Sequence, residues 1–135
     1  MNMQHYRGAM KEYEQVSARS QIEGAPPERL VQLMLDGALD RISVARGAMV
    51  NGQVAVKCER ITKAIGLVDG LRASLDHERG GELAGNLEAL YEYVGRRLTE
   101  ANLRNDTAIL DEAATLLGEI KQAWDRIVAD KEAVQ

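Results

Sequence analysis

The sequence predicts an all-α protein: an antiparallel up-down four-helix bundle with a short N-terminal helical or extended leader. Apolar residues recur every three or four positions in four long segments, and no segment alternates with the period of two that a strand shows. Strong breaks are few, namely Pro26-Pro27, Asn51-Gly52, Gly80-Gly81 and the stretch 102–106. The chain has no Phe and one Trp, so its core is built from aliphatic side chains, which suit helices better than sheets.

The first two predicted helices are residues 27–49 and 54–75. Pro27 is well placed at the first helical position, where its missing N–H costs nothing. Pro26 before it offers no side-chain cap, so the start of this helix is defined less sharply than usual. The apolar positions of the first helix are Leu30, Leu33, Met34, Gly37, Ala38, Ile42, Ala45 and Met49. Those of the second are Val54, Cys58, Ile61, Ile65, Val68 and Leu75.

The third and fourth predicted helices are residues 82–103 and 106–127. Asp106 is a good N-cap for the fourth. The apolar positions of the third are Leu83, Leu87, Leu90, Val94, Leu98 and Ala101, and those of the fourth are Ile109, Ala113, Leu116, Ile120, Ala123 and Ile127. Four amphipathic helices joined by short loops lie antiparallel to their neighbours, which gives the bundle.

The 135 residues suffice for one core, and we expect a flexible leader over residues 1–24 followed by a helical bundle domain over 25–135. Tyr6, Met10 and Tyr13 follow the i, i+4, i+7 spacing of a short helix that lies in a groove. Our hypothesis is that the leader docks reversibly where a partner helix would lie. The alternative is an ordinary frayed terminus with chance spacing.

Composition argues against several classes of protein. A net charge of −4, from 17 basic and 21 acidic residues, does not favour nucleic-acid binding. The apolar runs are far shorter than the roughly 20 residues that cross a bilayer, and the N-terminus has no apolar signal-peptide segment, so we expect a cytoplasmic protein without membrane insertion. Cys58 is the single cysteine and has no internal disulfide partner.

A polar cluster, Asp76, His77 and Glu78, precedes the Gly80-Gly81 pair. A metal site needs three or four ligands from at least two elements, and the other histidine, His5, lies in the leader. The sequence around these glycines does not contain the lysine and the serine or threonine that a phosphate-binding loop requires. With no nucleophile paired to a base, we expect no catalytic residue, metal or cofactor, and interpret the cluster as a solvated turn in which glycine permits a positive φ.

The predicted helices contain many glycines, and the second carries an apolar arc of roughly 180°, wider than a surface helix needs. These glycines either allow close approach of helices inside the bundle or leave grooves on its surface. They are Gly37, Gly47, Gly66, Gly70, Gly85, Gly95 and Gly118. The arc, which includes Leu67 and Leu71, is either a binding surface for a partner helix or a face that neighbouring helices bury on several sides.

Three stretches carry a family resemblance: LVQLMLDGAL at 30–39, AIGLVDGLRASLDHERGGELAGNLEALYEYVGRRLTEANLRND at 64–106, and LLGEIKQAWDRI at 116–127. In order and spacing, the sequence from about residue 13 to 127 resembles the flagellar secretion chaperones of the FliS family. The resemblance implies a helical bundle that binds the disordered C-terminal segment of flagellin, prevents premature polymerisation and, when loaded, reaches the cytoplasmic domain of a membrane protein of the export gate. It implies no enzymatic activity.

The resemblance also guides the choice of partner-binding residues. The family's N-terminal apolar residue and tyrosine, which influence partner binding, match Met10 and Tyr13. The apolar arc and the third helix add further candidates: Leu67, Leu71, Leu75, Leu83, Leu87, Tyr91 and Tyr93. For Leu83 and Leu87 the alternative is a place in the core, and Trp124 is assigned to the core. We expect a monomer or a weak dimer. The alternative function is a helical adaptor or regulator that binds a different amphipathic helix.

Overall fold

The computed structural model describes residues 26–134, which form four α-helices and no β-strand. The helices are α1 (Pro27–Val50), α2 (Val54–Ala73), α3 (His77–Arg104) and α4 (Thr107–Val134). The connections between them are two or three residues long, so consecutive helices run antiparallel. The predicted all-α bundle is confirmed, whereas the predicted leader, residues 1–24, lies outside the described residues.

The four helices pack as a ring in which α1 and α3 each contact both α2 and α4. The core lies between them and consists mainly of aliphatic side chains, as the composition predicts. Its largest fully buried side chains are Tyr91, Met34, Leu35, Ile42, Ile61, Leu67, Leu71, Leu98, Leu110, Leu117, Val68 and Val94. Burial of this shared apolar surface stabilises helices that would be marginal in isolation.

The helix starts follow the sequence closely in two places. Pro26 occupies the N-cap of α1 and makes no side-chain cap hydrogen bond, while Pro27 holds the first helical position. At α4, the Asp106 carboxylate accepts a hydrogen bond from the Ala108 backbone N–H at 2.9 Å. The predicted cap at Asp106 is therefore confirmed, as is the missing cap at the start of α1.

The start of α3 differs from the prediction. The helix begins at His77 and not at residue 82, because the Asp76 side chain caps it by accepting a hydrogen bond from the Arg79 N–H at 3.1 Å. One helical turn follows, and then Gly81 interrupts the helix with φ 52° and ψ −124°. The expected positive φ is thus present at Gly81 but not at Gly80. The cluster is a solvent-exposed turn, as predicted, and Asp76 also caps the helix that follows it.

The glycines divide between the two interpretations that the sequence leaves open. A Cβ at Gly37 would lie 3.2 Å from Leu67 Cδ1, and a Cβ at Gly70 would lie 2.8 Å from Met34 Cε. These two glycines let α1 and α2 approach closely inside the bundle. A Cβ at Gly47, Gly85, Gly95 or Gly118 would meet no atom within 4 Å, so close packing does not explain these positions.

Candidate functional site

An apolar groove lies at the end of the bundle where α1 begins, α2 meets α3, and α4 approaches its C-terminus. It encloses about 350 Å³. We call it the apolar groove, and it is lined by Pro27, Glu28, Val31, Leu71, Ser74, Leu75, Asp76, Arg79, Gly80, Leu83, Ala84, Leu87, Tyr91 and Trp124. All four helices therefore contribute to one site, and five of the predicted partner-binding residues are brought together there.

The floor of the apolar groove contains two aromatic side chains. Tyr91 is only 2% exposed, and its hydroxyl accepts a hydrogen bond from the Trp124 indole N–H. Burial raises the pKa of Tyr91 to about 12. The hydrogen bond from Trp124 lowers this pKa, but its effect is smaller than that of burial. Trp124 itself is half-buried: it packs against the core and also lines the apolar groove. Its assignment to the core is therefore only partly correct.

The wall of the apolar groove is formed by leucines of graded exposure. Leu71 is buried, Leu75 and Leu87 are half-buried, and Leu83 is 65% exposed. Within residues 26–134 no neighbouring helix covers Leu83, so a core position is wrong for it, whereas Leu87 packs partly against the core. A leucine this exposed beside an apolar cavity is a typical anchor point for another apolar surface.

Ion pairs surround the apolar groove without entering its floor. Lys131 bonds the Glu28 carboxylate, which joins the end of α4 to the start of α1, and this hydrogen bond holds the pKa of Glu28 below its usual value. On the opposite side, Arg79 Nε lies 3.8 Å from Asp76 Oδ2. These charged groups remain at the solvent edge, so the site offers an apolar interior with a polar rim.

The second predicted helix, α2, is covered by its neighbours along most of its apolar arc. Leu67 is 1% exposed and packs on Gly37 of α1, and Ile61, Ala64 and Val68 are equally buried. Of the two interpretations left open by the sequence, burial by neighbouring helices is the correct one for this stretch. Exposed apolar side chains lie at both ends of the bundle: Leu83 beside the groove, and Val50, Val54 and Leu103 at the opposite end.

Tyr93 lies away from the apolar groove, on the face where α3 meets α4. Its hydroxyl donates a hydrogen bond to Glu112 Oε1 at 3.1 Å, and the Arg96 guanidinium lies 5.5 Å from the centre of its ring. Arg97 Nε also donates to Glu112 Oε1, at 2.8 Å, and this bond is the main reason that the pKa of Glu112 is lowered. Tyr93 therefore ties α3 to α4 in this structure.

The predicted binding residues and the residues that line the apolar groove overlap only in part. Met10 and Tyr13 lie outside the described residues. Sequence reasoning singled out Asp76 and Gly80 only as parts of a turn. It missed five of the lining residues: Glu28, Val31, Ser74, Arg79 and Ala84. The four-residue spacing from Pro27 to Val31 is the available signal, since it places both on one face at the start of α1.

A smaller, more polar groove of about 290 Å³ lies between α2 and α3. It is lined by Ile65, Asp69, Arg72, Tyr91, Glu92, Gly95, Arg96 and Thr99. Within residues 26–134, no group of three or more His, Cys, Asp or Glu side chains is arranged to hold a metal ion. The helices of the same region include none with the length and hydropathy of a membrane span.

The buried Tyr91 hydroxyl predicts a specific alkaline instability. The ordinary pKa of tyrosine is 10.0, and that of Tyr91 in the folded protein is about 12. Between these two pH values the unfolded chain loses the proton while the folded protein keeps it, so the free energy of unfolding falls as pH rises. The loss reaches about 2 kcal/mol at pH 12. We expect Tyr91→Phe to be about 1 kcal/mol less stable at pH 8, because the bond from Trp124 is lost, but to lack this alkaline loss.

Urea unfolding at a series of pH values, followed by circular dichroism, measures this effect. Tyr93→Phe is the matched control, since it removes a hydroxyl that is not buried in the groove floor. An alkaline loss of the same size in the wild type and in Tyr91→Phe would contradict the assignment.

Comparison with known proteins identifies the family. The family model for flagellar protein FliS matches residues 9–131. The chain is 56% identical over 119 residues to the flagellar secretion chaperone FliSB of Pseudomonas aeruginosa, covering 88% of this chain and 94% of that protein. It is 44% identical to the flagellar secretion chaperone FliS of Salmonella typhimurium (87% and 88% covered) and 40% identical to that of Vibrio cholerae (90% and 89% covered). These matches confirm the resemblance carried by the three sequence stretches. A family of chaperones argues against an enzymatic function. The chain belongs to the FliS family of flagellar secretion chaperones.

Proposed function

We propose that this protein is a cytoplasmic export chaperone that binds the disordered C-terminal segment of flagellin in the apolar groove. Covering that segment prevents premature polymerisation, and the loaded chaperone then delivers the subunit to the cytoplasmic domain of an export-gate membrane protein. The observation that carries the proposal is the exposed Leu83 beside an apolar cavity, in a chain of the FliS family.

The physical basis is helix formation on an external surface. A short isolated helix is marginal in water, so a disordered, leucine-rich segment becomes helical only where another surface buries its apolar face. Leu75, Leu83 and Leu87 form an apolar wall over the floor at Tyr91. A helix presents anchors at i, i+3, i+4 and i+7, and such a stripe fits an apolar wall with a polar rim.

The assignment of contacts follows burial. Leu71, Leu75, Leu83, Leu87 and Tyr91 line the apolar groove and are proposed as the contact surface. Met10 and Tyr13 of the leader are proposed to influence binding, as the family resemblance implies. We assign Leu67 and Tyr93 to packing within the bundle, and we propose a monomer or a weak dimer for the free protein.

Titration with a peptide of the flagellin C-terminal segment tests the proposal. Calorimetry at several temperatures is expected to show binding with a clearly negative heat-capacity change, because ordering the peptide buries over about 1,000 Å². The fluorescence of Trp124, the only tryptophan, reports occupation of the groove. A peptide of the same composition, with its leucines moved off one helical face, is the control and is expected not to bind.

The absence of both heat and fluorescence change with the flagellin peptide would overturn the proposal. It would favour the alternative, an adaptor for a different amphipathic helix. Repeating the titration with a chain lacking residues 1–20, and with Met10→Ala and Tyr13→Ala, measures the influence of the leader. We expect these changes to alter the affinity without abolishing the fluorescence response of Trp124.

A further inference from the structure

On the α3 side, the lining of the apolar groove has two segments joined at Gly81. Arg79 and Gly80, in the first turn of α3 (residues 77–80), line the groove on one side of Gly81, and Leu83 lines it on the other. Gly81 interrupts the helix with φ 52° and ψ −124°, a conformation that only glycine adopts readily. The first turn is therefore not a continuous part of the α3 rod.

The ion pair that joins the first turn to the body of α3 is exposed to solvent. His77 Nε2 lies 3.3 Å from Glu88 Oε2, across the Gly81 kink, and Arg72 Nε of α2 lies 3.4 Å from the other oxygen of the same carboxylate. Exposed ion pairs of this kind contribute little stability. The space beside the pivot is open, since a Cβ at Gly81 would meet no atom within 4 Å.

The enclosed part of the groove is small compared with a helical guest. About 350 Å³ is at the small end of ligand pockets, whereas a helix with its side chains is about 10–12 Å across. We propose that the first turn of α3 is a movable wall, which swings outward about Gly81 when a partner helix enters, and that Glu88 is the positioning residue that holds it closed. The proposal rests on the proposed function, since it describes how the same groove admits its guest.

The tether is tested with Glu88→Gln against Glu92→Gln. Both remove one carboxylate from α3, but Glu92 pairs within the helix, with Arg96 Nε at 2.8 Å. In Glu88→Gln, we expect the Arg79 and Gly80 amides to exchange with solvent about threefold faster, the effect of losing an exposed ion pair. Stopped-flow mixing with the flagellin C-terminal peptide, followed by Trp124 fluorescence, should show a similar increase in the association rate constant. Equal exchange and equal rates in the two variants would overturn the proposal.

A second pair of variants tests the pivot independently of the ion pairs. A Cβ at Gly80 would lie 2.7 Å from Ala84 Cβ, so Gly80→Ala must push the first turn away from the rest of α3. Gly85→Ala is the matched control, because its Cβ meets open space. If the first turn can move about Gly81, this movement relieves the clash. Gly80→Ala is then expected to unfold at the same urea concentration as Gly85→Ala and to bind the peptide faster. A lower urea midpoint for Gly80→Ala without faster association would show that the wall is fixed. If the wild type binds no peptide, the proposed function fails, whereas amide exchange and urea midpoints still decide whether the wall moves.

Discussion

Replacing Leu83 with aspartate is expected to weaken binding of the flagellin C-terminal peptide by about 30-fold, the effect of losing a hot-spot side chain worth about 2 kcal/mol. Leu83 is 65% exposed on the wall of the apolar groove, so its side chain is free to meet a guest. A carboxylate there would be buried without a partner once the guest helix covers it, which adds to the loss of apolar contact. The free energy of unfolding should change by less than about 0.5 kcal/mol, because the position is exposed in the free protein.

Leu103→Asp is the matched control for this prediction. Leu103 is 82% exposed and lies on the same helix, at about 1.5 Å per residue some 30 Å from Leu83. Calorimetric titration of both variants, with urea unfolding in parallel, separates binding from stability. Equal losses of affinity at the two positions would show that the peptide binds exposed apolar surface generally and does not require the groove.

The fold could be predicted because the chain repeats one simple pattern between a few clear breaks. Apolar spacing along α1 places its buried face correctly, and Asp106 marks the start of α4 by its capping chemistry. In α4 the predicted face is correct only as far as Ile120: Ala123 and Ile127 are exposed, and Val128 is buried in their place. The start of α3 could not be placed in the same way. Asp76 and the glycine pair are compatible with a loop as well as with a capped helical turn, and the hydrogen bond from the Arg79 N–H to Asp76 distinguishes them.

The site could be predicted only in part, because a helical arc shows which side chains are apolar and not which neighbours cover them. Leu67 and Leu83 look alike in sequence, each a leucine at helical spacing beside a glycine-containing stretch. In the structure one lies under α1 and the other is left uncovered at the end of the bundle. The difference arises from the helix face that each residue occupies: in the turn after the Gly81 kink, Ala84 is buried against the bundle, whereas Leu83 beside it is exposed.

Leu67→Ala is expected to lower the free energy of unfolding by about 3 kcal/mol, within the usual cost of truncating a buried leucine. Leu67 is 1% exposed and its Cδ1 lies opposite Gly37 of α1. Glycine has no side chain that could fill the space left by the leucine. α1 and α2 are already in close contact at Gly70 and Met34, so the helices have little room to collapse into the cavity.

The same variant decides between the two roles that the sequence allows for this leucine. If Leu67 serves packing, folded Leu67→Ala binds the flagellin peptide within about threefold of the wild type, because a residue outside the interface affects binding chiefly through the folded fraction. Urea unfolding gives the stability, and titration well below the unfolding midpoint gives the affinity of the folded form. Leu103→Ala, which truncates an exposed leucine, should leave both quantities unchanged. A loss of affinity of about tenfold or more in folded Leu67→Ala would mean that α2 opens on binding to expose its buried face, since the guest cannot otherwise reach that side chain.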